Sequence, residues 1–498
     1  MRTRLAGAVA AGACVLAACG TAGAVPAGTT SEGTPGPTAT GAPSRGTGPG
    51  QLAGPASWPG YHADQARTGA VPAPAPSVPR VSSASPVSPA SSVSSVSSAP
   101  VRSAWSADLG AAVYGQPVVA GGRVLAATEG DRVVALDPAT GRTVWSVSLG
   151  TPLTHVADVA GCGNVDPLGI TSTPVVDLQT NTVFVVAEVV DAQGSVHHRL
   201  EGLSVATGAV RVAVDVDPPL PPGEQAVHLL QRAGFALGNG RVYVAYGGNS
   251  GDCGTYHGWV VGVMESGPPR PVSFEVAPDG EGGAIWASGG APALDGRGTL
   301  YVTTGNANPG PPQGGPDPKR YTESVVVLSP DLRPLASFKD RVAGGDEDLS
   351  TSNPVLLPDG TVFAVGKTEI GFVLSQRDLS QVAAIGGICG SDPDGGPGYD
   401  RATNRLFVPC RDGGIQVVDL ASRALGPRLA GANGPPILVG DRLWAVDYPG
   451  GTLVQFDAAT GRALQTVAVG STVPHFTSPS AGLGLVLVGT DHGVTAFR

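Results

Sequence analysis

The sequence predicts an all-β protein: an eight-bladed β-propeller of four-stranded antiparallel blades that follows a disordered N-terminal tether. The composition is rich in turn residues, with 74 Gly and 46 Pro but only 14% charged residues in 498. Short apolar runs alternate between turns, which is typical of strands. One four-strand pattern also recurs at intervals of roughly 40 to 50 residues, which is typical of propellers. Seven blades are the alternative count.

The best-defined repeat spans residues 116–150. Its four apolar runs are residues 117–120, 123–128, 132–136 and 142–149. The last two flank the turn Asp137-Pro-Ala-Thr-Gly141, where Asp137 can bond back to the turn and Gly141 can take a positive φ. The repeat therefore predicts a four-stranded meander with Trp145 on its outermost strand.

The same turn returns as Asp457-Ala-Ala-Thr-Gly461 and, more weakly, as Ala206-Thr-Gly208. Eight blades are predicted at residues 114–150, 170–216, 230–276, 284–340, 350–386, 395–428, 433–470 and 474–498. The last of them ends where an outer strand is due. Because residues 103–109 read as an outer strand ahead of the first blade, we expect the two ends of the chain to close the ring together.

Residues 1–18 read as a lipoprotein signal peptide. Arg2 and Arg4 precede an apolar run over residues 5–16, which is too short to span a membrane. Leu16-Ala17-Ala18-Cys19 has the form of a bacterial lipobox, so cleavage before Cys19 would leave its thiol to carry diacylglycerol. Ordinary secretory cleavage is the alternative. Either reading predicts an exported protein, and the first places it on the extracytoplasmic side of the cell membrane.

Residues 19–101 form a low-complexity Ser/Thr/Pro/Ala/Gly linker, and residues 102–498 form the propeller. Such a linker cannot bury enough apolar surface to offset the entropy lost on ordering. Its one aromatic patch, Trp58-Pro-Gly-Tyr61, either docks on the propeller or stays disordered.

The cysteines agree with export. Once Cys14 is removed with the signal and Cys19 is lipidated, an even number remains in an oxidising compartment: Cys162, Cys253, Cys389 and Cys410. Two disulfides are expected, and pairing Cys162 with Cys253 and Cys389 with Cys410 is favoured over the two other pairings.

Several classes of function have no support in the sequence. The net charge of −10, with no Lys/Arg cluster, argues against nucleic acid as a partner. No Gly-x-Ser-x-Gly, His-Glu-x-x-His or phosphate loop is present, which leaves hydrolase and nucleotide functions unsupported. His197-His198 lies in a hairpin, where surface exposure is favoured over metal binding, and His155 and His475 lie in loops that precede blades.

The repeat at residues 116–150 and its recurrences resemble the pyrrolo-quinoline quinone (PQQ) repeat. That repeat occurs in quinoprotein dehydrogenases and in non-catalytic propellers such as the outer-membrane assembly lipoprotein. The resemblance runs from about residue 101 to residue 498. It implies the fold, whereas function has to be argued from a site.

The middle of the chain is similar to the methanol and alcohol dehydrogenase quinoproteins. The resemblance implies that Trp286 of Gly282-Gly-Ala-Ile-Trp286 lies under the quinone and that Asn306 of Thr304-Gly-Asn306 binds calcium. It further implies that Asp348 acts as catalytic base and calcium ligand and that Lys367 contacts the quinone oxygens. Where those enzymes have a glutamate ligand, Gly251-Asp252-Cys253 offers Asp252 or a cystine sulfur as the calcium ligand. This stretch looks more like exported PQQ-like propellers with no assigned reaction.

Two hypotheses for function remain. The first, which we favour, is a lipid-anchored propeller that acts as a binding or scaffold protein at the cell envelope, with an envelope protein or a small ligand as partner. The second is a PQQ- and calcium-dependent alcohol or sugar dehydrogenase. An enzyme needs metal carboxylates that converge on the propeller axis, whereas a scaffold needs exposed loops and rim.

Overall fold

A computed structural model describes residues 56–72, 100–308, 321–340 and 346–498. These residues form an eight-bladed β-propeller of four-stranded antiparallel blades, which confirms the predicted fold and the count of eight. In blade 1 the innermost strand, Val118–Ala120, is fully buried, whereas alternate residues of the outermost strand, Thr143–Ser148, face solvent. The signal peptide, Cys19 and most of the predicted linker lie outside the described residues.

The strands of blades 1 to 4 are given from the axis outward. Blade 1 contains Val118–Ala120, Arg123–Thr128, Arg132–Leu136 and Thr143–Ser148. Blade 2 contains Val175–Asp177, Thr182–Val190, Val196–Ser204 and Val210–Asp215. Blade 3 contains Ala236–Gly238, Arg241–Gly248, Trp259–Met264 and Val272–Glu275, with Leu229–Leu230 as an addition to its second strand. Blade 4 contains Ala293–Leu294, Leu300–Thr303, Ser324–Leu328 and Pro334–Lys339.

The remaining blades follow the same order. Blade 5 contains Val355–Leu356, Thr361–Val365, Gly371–Ser375 and Gln381–Ile385. Blade 6 contains Gly398–Asp400, Arg405–Cys410, Gly414–Asp419 and Ala424–Leu429. Blade 7 contains Ile437–Val439, Arg442–Asp447, Thr452–Asp457 and Ala463–Ala468. Blade 8 contains Ser480–Gly482, Leu485–Thr490, Gly493–Phe497 and Ser103–Asp108.

Few other elements occur in the described residues. A two-stranded ribbon pairs Glu281–Gly282 with Ala307–Asn308. The helical turns are Val156–Ala160, Ala226–His228, Ala287–Gly289 and Leu349–Thr351. None of these described helices has the length and apolar character needed to cross a membrane.

The ring closes through both ends of the propeller domain. Ser103–Asp108 pairs antiparallel with Gly493–Phe497 and completes blade 8, which confirms the closure predicted from residues 103–109. Trp105 on this strand is 8% exposed and donates from Nε1 to the Pro138 carbonyl of blade 1, 3.0 Å away. The join is therefore both a strand pairing and a contact between blades.

The apolar core lies between neighbouring blades. Leu125 and Val133 of blade 1 pack with Val183 and Val185 of blade 2 in one such cluster. Alternation along each strand places apolar side chains on both faces of a blade, and each face is covered by the next sheet. The core is thus distributed around the ring.

The described part of the predicted linker, residues 56–72, is named here the axial segment. It accepts hydrogen bonds from inner-strand N–H groups of blades 2 to 7, namely those of Val176, Leu237, Leu294, Leu356, Tyr399 and Leu438. Trp58 pairs with Val119 of blade 1 in both directions, at 2.8 and 2.9 Å, and is fully buried. The segment therefore follows the inner strands around the channel, and the Trp58-Tyr61 patch is docked.

Two buried side chains attach the axial segment. Arg67 is 1% exposed and donates to the carbonyls of Pro292 at 2.9 Å and Phe235 at 2.8 Å. Gln116 accepts from the His62 backbone N–H at 2.9 Å and donates to Ser478 of blade 8 at 2.8 Å. Inner-strand N–H groups that face a channel need partners, and the segment supplies them.

Candidate functional site

A pocket of about 650 Å³ opens at one mouth of the central channel. Its wall consists of loops that precede inner strands, such as those with Arg232 and His475, and loops that follow second strands, such as those with Asp252 and Lys367. The axial segment forms hydrogen bonds with the inner strands themselves, so it lies deeper in the channel than these loops. The volume is in the range of pockets for small organic molecules.

One side of the pocket contains a buried acid paired with a lysine. Asp348 is fully buried, and Lys367 Nζ lies 3.0 Å from its Oδ2. Lys367 also contacts Asp346, which lines the pocket. The backbone N–H of Asn306 donates to Asp348 Oδ1 at 2.9 Å, and the Asn306 amide faces the same carboxylate. The structure thus brings Asn306, Asp348 and Lys367 together.

The charges in this cluster depend on one another. Burial raises the pKa of Asp348 to about 6, against the opposing effect of Lys367. Burial works against the charge of Lys367 as well, but Asp348 and Asp346 raise its pKa overall. At neutral pH the cluster therefore holds an ion pair in which the ammonium group supplies the positive charge.

The other two predicted site residues lie on the pocket wall. Trp286 donates from Nε1 to the Gly248 carbonyl at 3.0 Å, and its ring lies so close to Gly247 that an added Cβ would come within 2.2 Å of it. Asp252 is exposed and accepts a hydrogen bond of 2.6 Å from the Tyr256 hydroxyl. The neighbouring Cys253, in the same loop as Asp252, forms a disulfide with Cys162.

The two expected disulfides are formed. Cys162 is bonded to Cys253 and ties the loop between blades 1 and 2 to blade 3. Cys389 is bonded to Cys410, which joins the end of blade 5 to blade 6. Disulfides of this kind are typical of proteins that fold outside the cytoplasm.

The donor set fits a calcium ion poorly. Calcium takes six to eight oxygen ligands, preferably from several carboxylates. Within the residues that the structure describes, no three His, Cys, Asp or Glu side chains are grouped closely enough to hold a metal. Asp348 is occupied by Lys367 and Asn306, and Asp252 by Tyr256. The positive charge beside Asp348 is that of the Lys367 ammonium group.

Another part of the pocket wall is cationic and aromatic. Arg411 forms a two-pronged ion pair with Asp394, at 2.9 and 3.0 Å, and reaches Asp392 at 2.7 Å. Arg232 lies over the Phe476 ring, 4.5 Å from its centre. Sequence reasoning missed Arg232, Arg411 and Phe476, because they come from loops of three different blades and none belongs to a recognisable motif.

The histidines divide between the pocket and other places. His475 lines the pocket, and burial together with Arg232 and Arg411 lowers its pKa to about 3. His155 is instead exposed at the start of the helix Val156–Ala160.

For His197-His198, the expected exposure holds only in part. His197 is 42% exposed, but the His198 side chain is fully buried in blade 2. Its Nδ1 lies 2.8 Å from Asp217 and its Nε2 lies 3.5 Å from Glu188. Against burial, these carboxylates raise the pKa of His198 to about 9. The contacts with Asp217 and Glu188 explain why the strand Val196–Ser204 accommodates the polar His198 side chain at a buried position.

Comparison with known proteins agrees with the propeller fold described above. Residues 89–252 match the family model described as "Outer membrane protein assembly factor BamB", which belongs to the PQQ repeat models. The chain folds as a PQQ-like β-propeller. No curated protein sequence matches it.

Solved structures similar to this PQQ-like propeller include enzymes and an assembly factor. The quinohemoprotein alcohol dehydrogenase of Comamonas testosteroni has a TM-score of 0.64 at 16% identity, covering 89% of this chain and 80% of that one. A europium-containing methanol dehydrogenase has a TM-score of 0.64 at 13% identity, covering 88% and 90%. BamB from Moraxella catarrhalis has a TM-score of 0.54 at 12% identity, covering 80% and 99%. At these identities the likeness establishes the fold alone.

Proposed function

We propose that this propeller is a binding protein of the cell envelope, anchored through Cys19 on the extracytoplasmic side, and that the pocket at the channel mouth is its ligand site. One observation carries this proposal: the Lys367 ammonium group lies between Asp348 and Asp346, in the acidic cluster where a quinone enzyme needs a metal. The disulfides and the BamB-like repeat support an envelope role.

The chemistry of the cluster favours binding over alcohol oxidation. A general base has to be free to accept the substrate proton, and a calcium centre needs anionic oxygens that face the ion. In Asp348, however, Oδ1 accepts a hydrogen bond from the Asn306 backbone and Oδ2 is paired with Lys367. The dehydrogenase alternative would need this ion pair to open so that calcium and PQQ could enter.

A quinone titration tests the proposal. Purified protein is mixed with PQQ, with and without calcium, and followed by absorbance and by reduction of an artificial electron acceptor with alcohols and sugars. We expect neither calcium-dependent quinone binding nor turnover. Saturable, calcium-dependent binding in the micromolar range together with turnover, both lost in Asn306→Ala and Asp348→Ala, would establish the dehydrogenase instead.

Ligand binding at the pocket has its own test. Trp286 lines the pocket, whereas Trp444 is buried in blade 7. A small-molecule fragment set should change the tryptophan fluorescence of the wild type and of Trp444→Phe, but not that of Trp286→Phe. Fragments that bind with no dependence on Trp286 would place the ligand site elsewhere.

The anchor is tested separately. The mature protein should partition with membranes and begin at a lipid-modified Cys19, because a lipobox cysteine receives diacylglycerol after cleavage. Cys19→Ser should be released from the membrane or remain unprocessed. A wild-type protein that is wholly soluble and begins at another residue would contradict anchoring.

A further inference from the structure

Arg232 is a buried cation in the pocket wall that forms no salt bridge within the described residues, where Glu129 and Asp394 attract it only from beyond ion-pair distance. It is 6% exposed and follows the short strand Leu229–Leu230 in blade 3. A guanidinium group has five N–H donors. In the described residues its one hydrogen bond runs from Nη2 to the His475 carbonyl, at 3.3 Å, and its buried Nε has no partner.

The groups in direct contact with the Arg232 guanidinium carry no negative charge. The Phe476 ring centre lies 4.5 Å away and the Tyr114 ring centre 5.4 Å away, so two aromatic faces flank the cation. His475, the neighbour that accepts its hydrogen bond, is kept neutral by burial. Aromatic faces attract a cation but leave its N–H groups unsatisfied.

The other cations of the pocket wall already have partners. Lys367 is paired with Asp346 and Asp348, and Arg411 is paired with Asp392 and Asp394. Of the Lys and Arg side chains that line the pocket in the described part of the chain, Arg232 is the one without an ion pair. A buried charge is unfavourable unless an opposite charge meets it.

We propose that the natural ligand of this pocket is a small organic anion whose carboxylate or phosphate group binds Arg232, with an aromatic or apolar part in the space beside Phe476 and Trp286. The inference rests on the proposed binding function and names its ligand class. A guanidinium group forms paired hydrogen bonds with planar or tetrahedral oxyanions. The pocket volume admits an organic molecule as well as its charged group.

Three probes of similar size test the inference: benzoate, phenyl phosphate and the neutral benzyl alcohol. Binding to the full-length protein is followed by ligand-observed NMR and by the shift in melting temperature. We expect the anions to bind at least about tenfold more tightly than benzyl alcohol, because a charge-assisted hydrogen bond is stronger than a neutral one. The tighter of the two anions distinguishes a carboxylate from a phosphate ligand.

Variants assign the effect to Arg232. Arg232→Gln should weaken benzoate or phenyl phosphate at least about tenfold and leave benzyl alcohol unchanged, while Arg232→Lys should retain part of the affinity. Arg442→Gln is the matched control, since that arginine lies on blade 7 and pairs with Asp441 outside the pocket lining. It should bind as the wild type does.

The outcomes separate this inference from the proposed function. The anion site is overturned if benzoate and benzyl alcohol bind with equal affinity, or if a folded Arg232→Gln variant keeps full affinity for the anions. In either case, Trp286-dependent binding of a neutral probe would still support the proposed binding function. Failure of every probe overturns both. If Arg232→Gln does not fold, the comparison of charged and neutral probes on the wild type decides alone.

Discussion

The indole N–H of Trp145 donates to the Val205 carbonyl at 3.0 Å, and the Trp145 ring covers Gly208, where an added Cβ would lie 2.8 Å from the ring. Trp145 lies on the outermost strand of blade 1, and Gly208 lies in the last turn of blade 2. Trp105 and Gly141 repeat the arrangement, at 2.7 Å, where blade 8 meets blade 1. The glycine of the repeated turn is therefore required by the neighbouring blade as well as by its own backbone.

Gly208→Ala should destabilise the protein more than Gly194→Ala does. Both glycines have positive φ, 75° and 84°, so alanine strains the backbone similarly at each. Only Gly208 lies under a tryptophan, since nothing is within 4 Å of a Cβ at Gly194. We expect an additional loss of about 1–3 kcal/mol at Gly208, measured by denaturant unfolding. Equal losses would show that the ring shifts without cost.

Trp105→Ala should loosen the closure of the ring. The side chain is almost fully buried and bonds to Pro138 of the next blade. Its loss should lower the free energy of unfolding by about 3 kcal/mol. Val144→Ala on the adjacent outer strand, where the side chain is 43% exposed, should change it by less than about 0.5 kcal/mol. A Trp105 variant as stable as the Val144 variant would contradict the importance of this contact.

Arg67→Met should weaken the axial segment. The change keeps the length of the side chain but removes its hydrogen bonds to Pro292 and Phe235, which leaves buried carbonyls without donors. We expect a loss of about 2 kcal/mol or more and faster hydrogen exchange in the inner strands. Arg132→Met, at an exposed arginine with a single bond to Ser146, should have little effect. Unchanged exchange in Arg67→Met would mean that the segment holds without this side chain.

Asp131 should make the protein less stable as the pH rises. Burial, with the nearby Glu129 and Glu188, raises its pKa to about 8, and its carboxylate has no hydrogen-bond donor. The folded protein keeps this proton up to about pH 8, whereas the unfolded chain loses it near pH 4. Unfolding therefore releases a proton in this window, and stability falls from about pH 4 to about pH 8.

Asp131→Asn should reduce that fall, as measured by melting temperatures at pH 5 and pH 8. Asp137→Asn is the control, because hydrogen bonds from Thr140 lower the pKa of Asp137 and its carboxylate stays ionised in both states throughout this window. The slope should then match the wild type. A slope in Asp131→Asn as steep as the wild-type slope would assign the effect to other groups.

Much of the fold was predictable because short-range sequence patterns determine each blade. Each blade is a run of hairpins, so alternation along a strand and turns such as Asp137 to Gly141 determine it locally. The outer-strand pattern of residues 103–109, ahead of the first blade, indicated that they close the ring. The site residues were predicted less completely. Trp286 and Lys367 belong to motifs and do lie in the pocket, but their chemistry depends on partners that sequence spacing does not show.

The sequence by itself determined the propeller fold and the way the ring closes, and it favoured eight blades and the two disulfide pairs, since these follow from the repeats and from the order of loops along the chain. Only the tertiary structure decided that the axial segment follows the inner strands around the channel and that Arg232 forms no salt bridge within the described residues. The segment bonds through its backbone to strands hundreds of residues away, such as Leu438. Arg232 meets His475 and Phe476 because the ring brings blade 3 and the loop before blade 8 to one mouth. These hydrogen bonds and the unpaired charge arise from contacts between residues far apart in sequence, and no local sequence pattern indicates them.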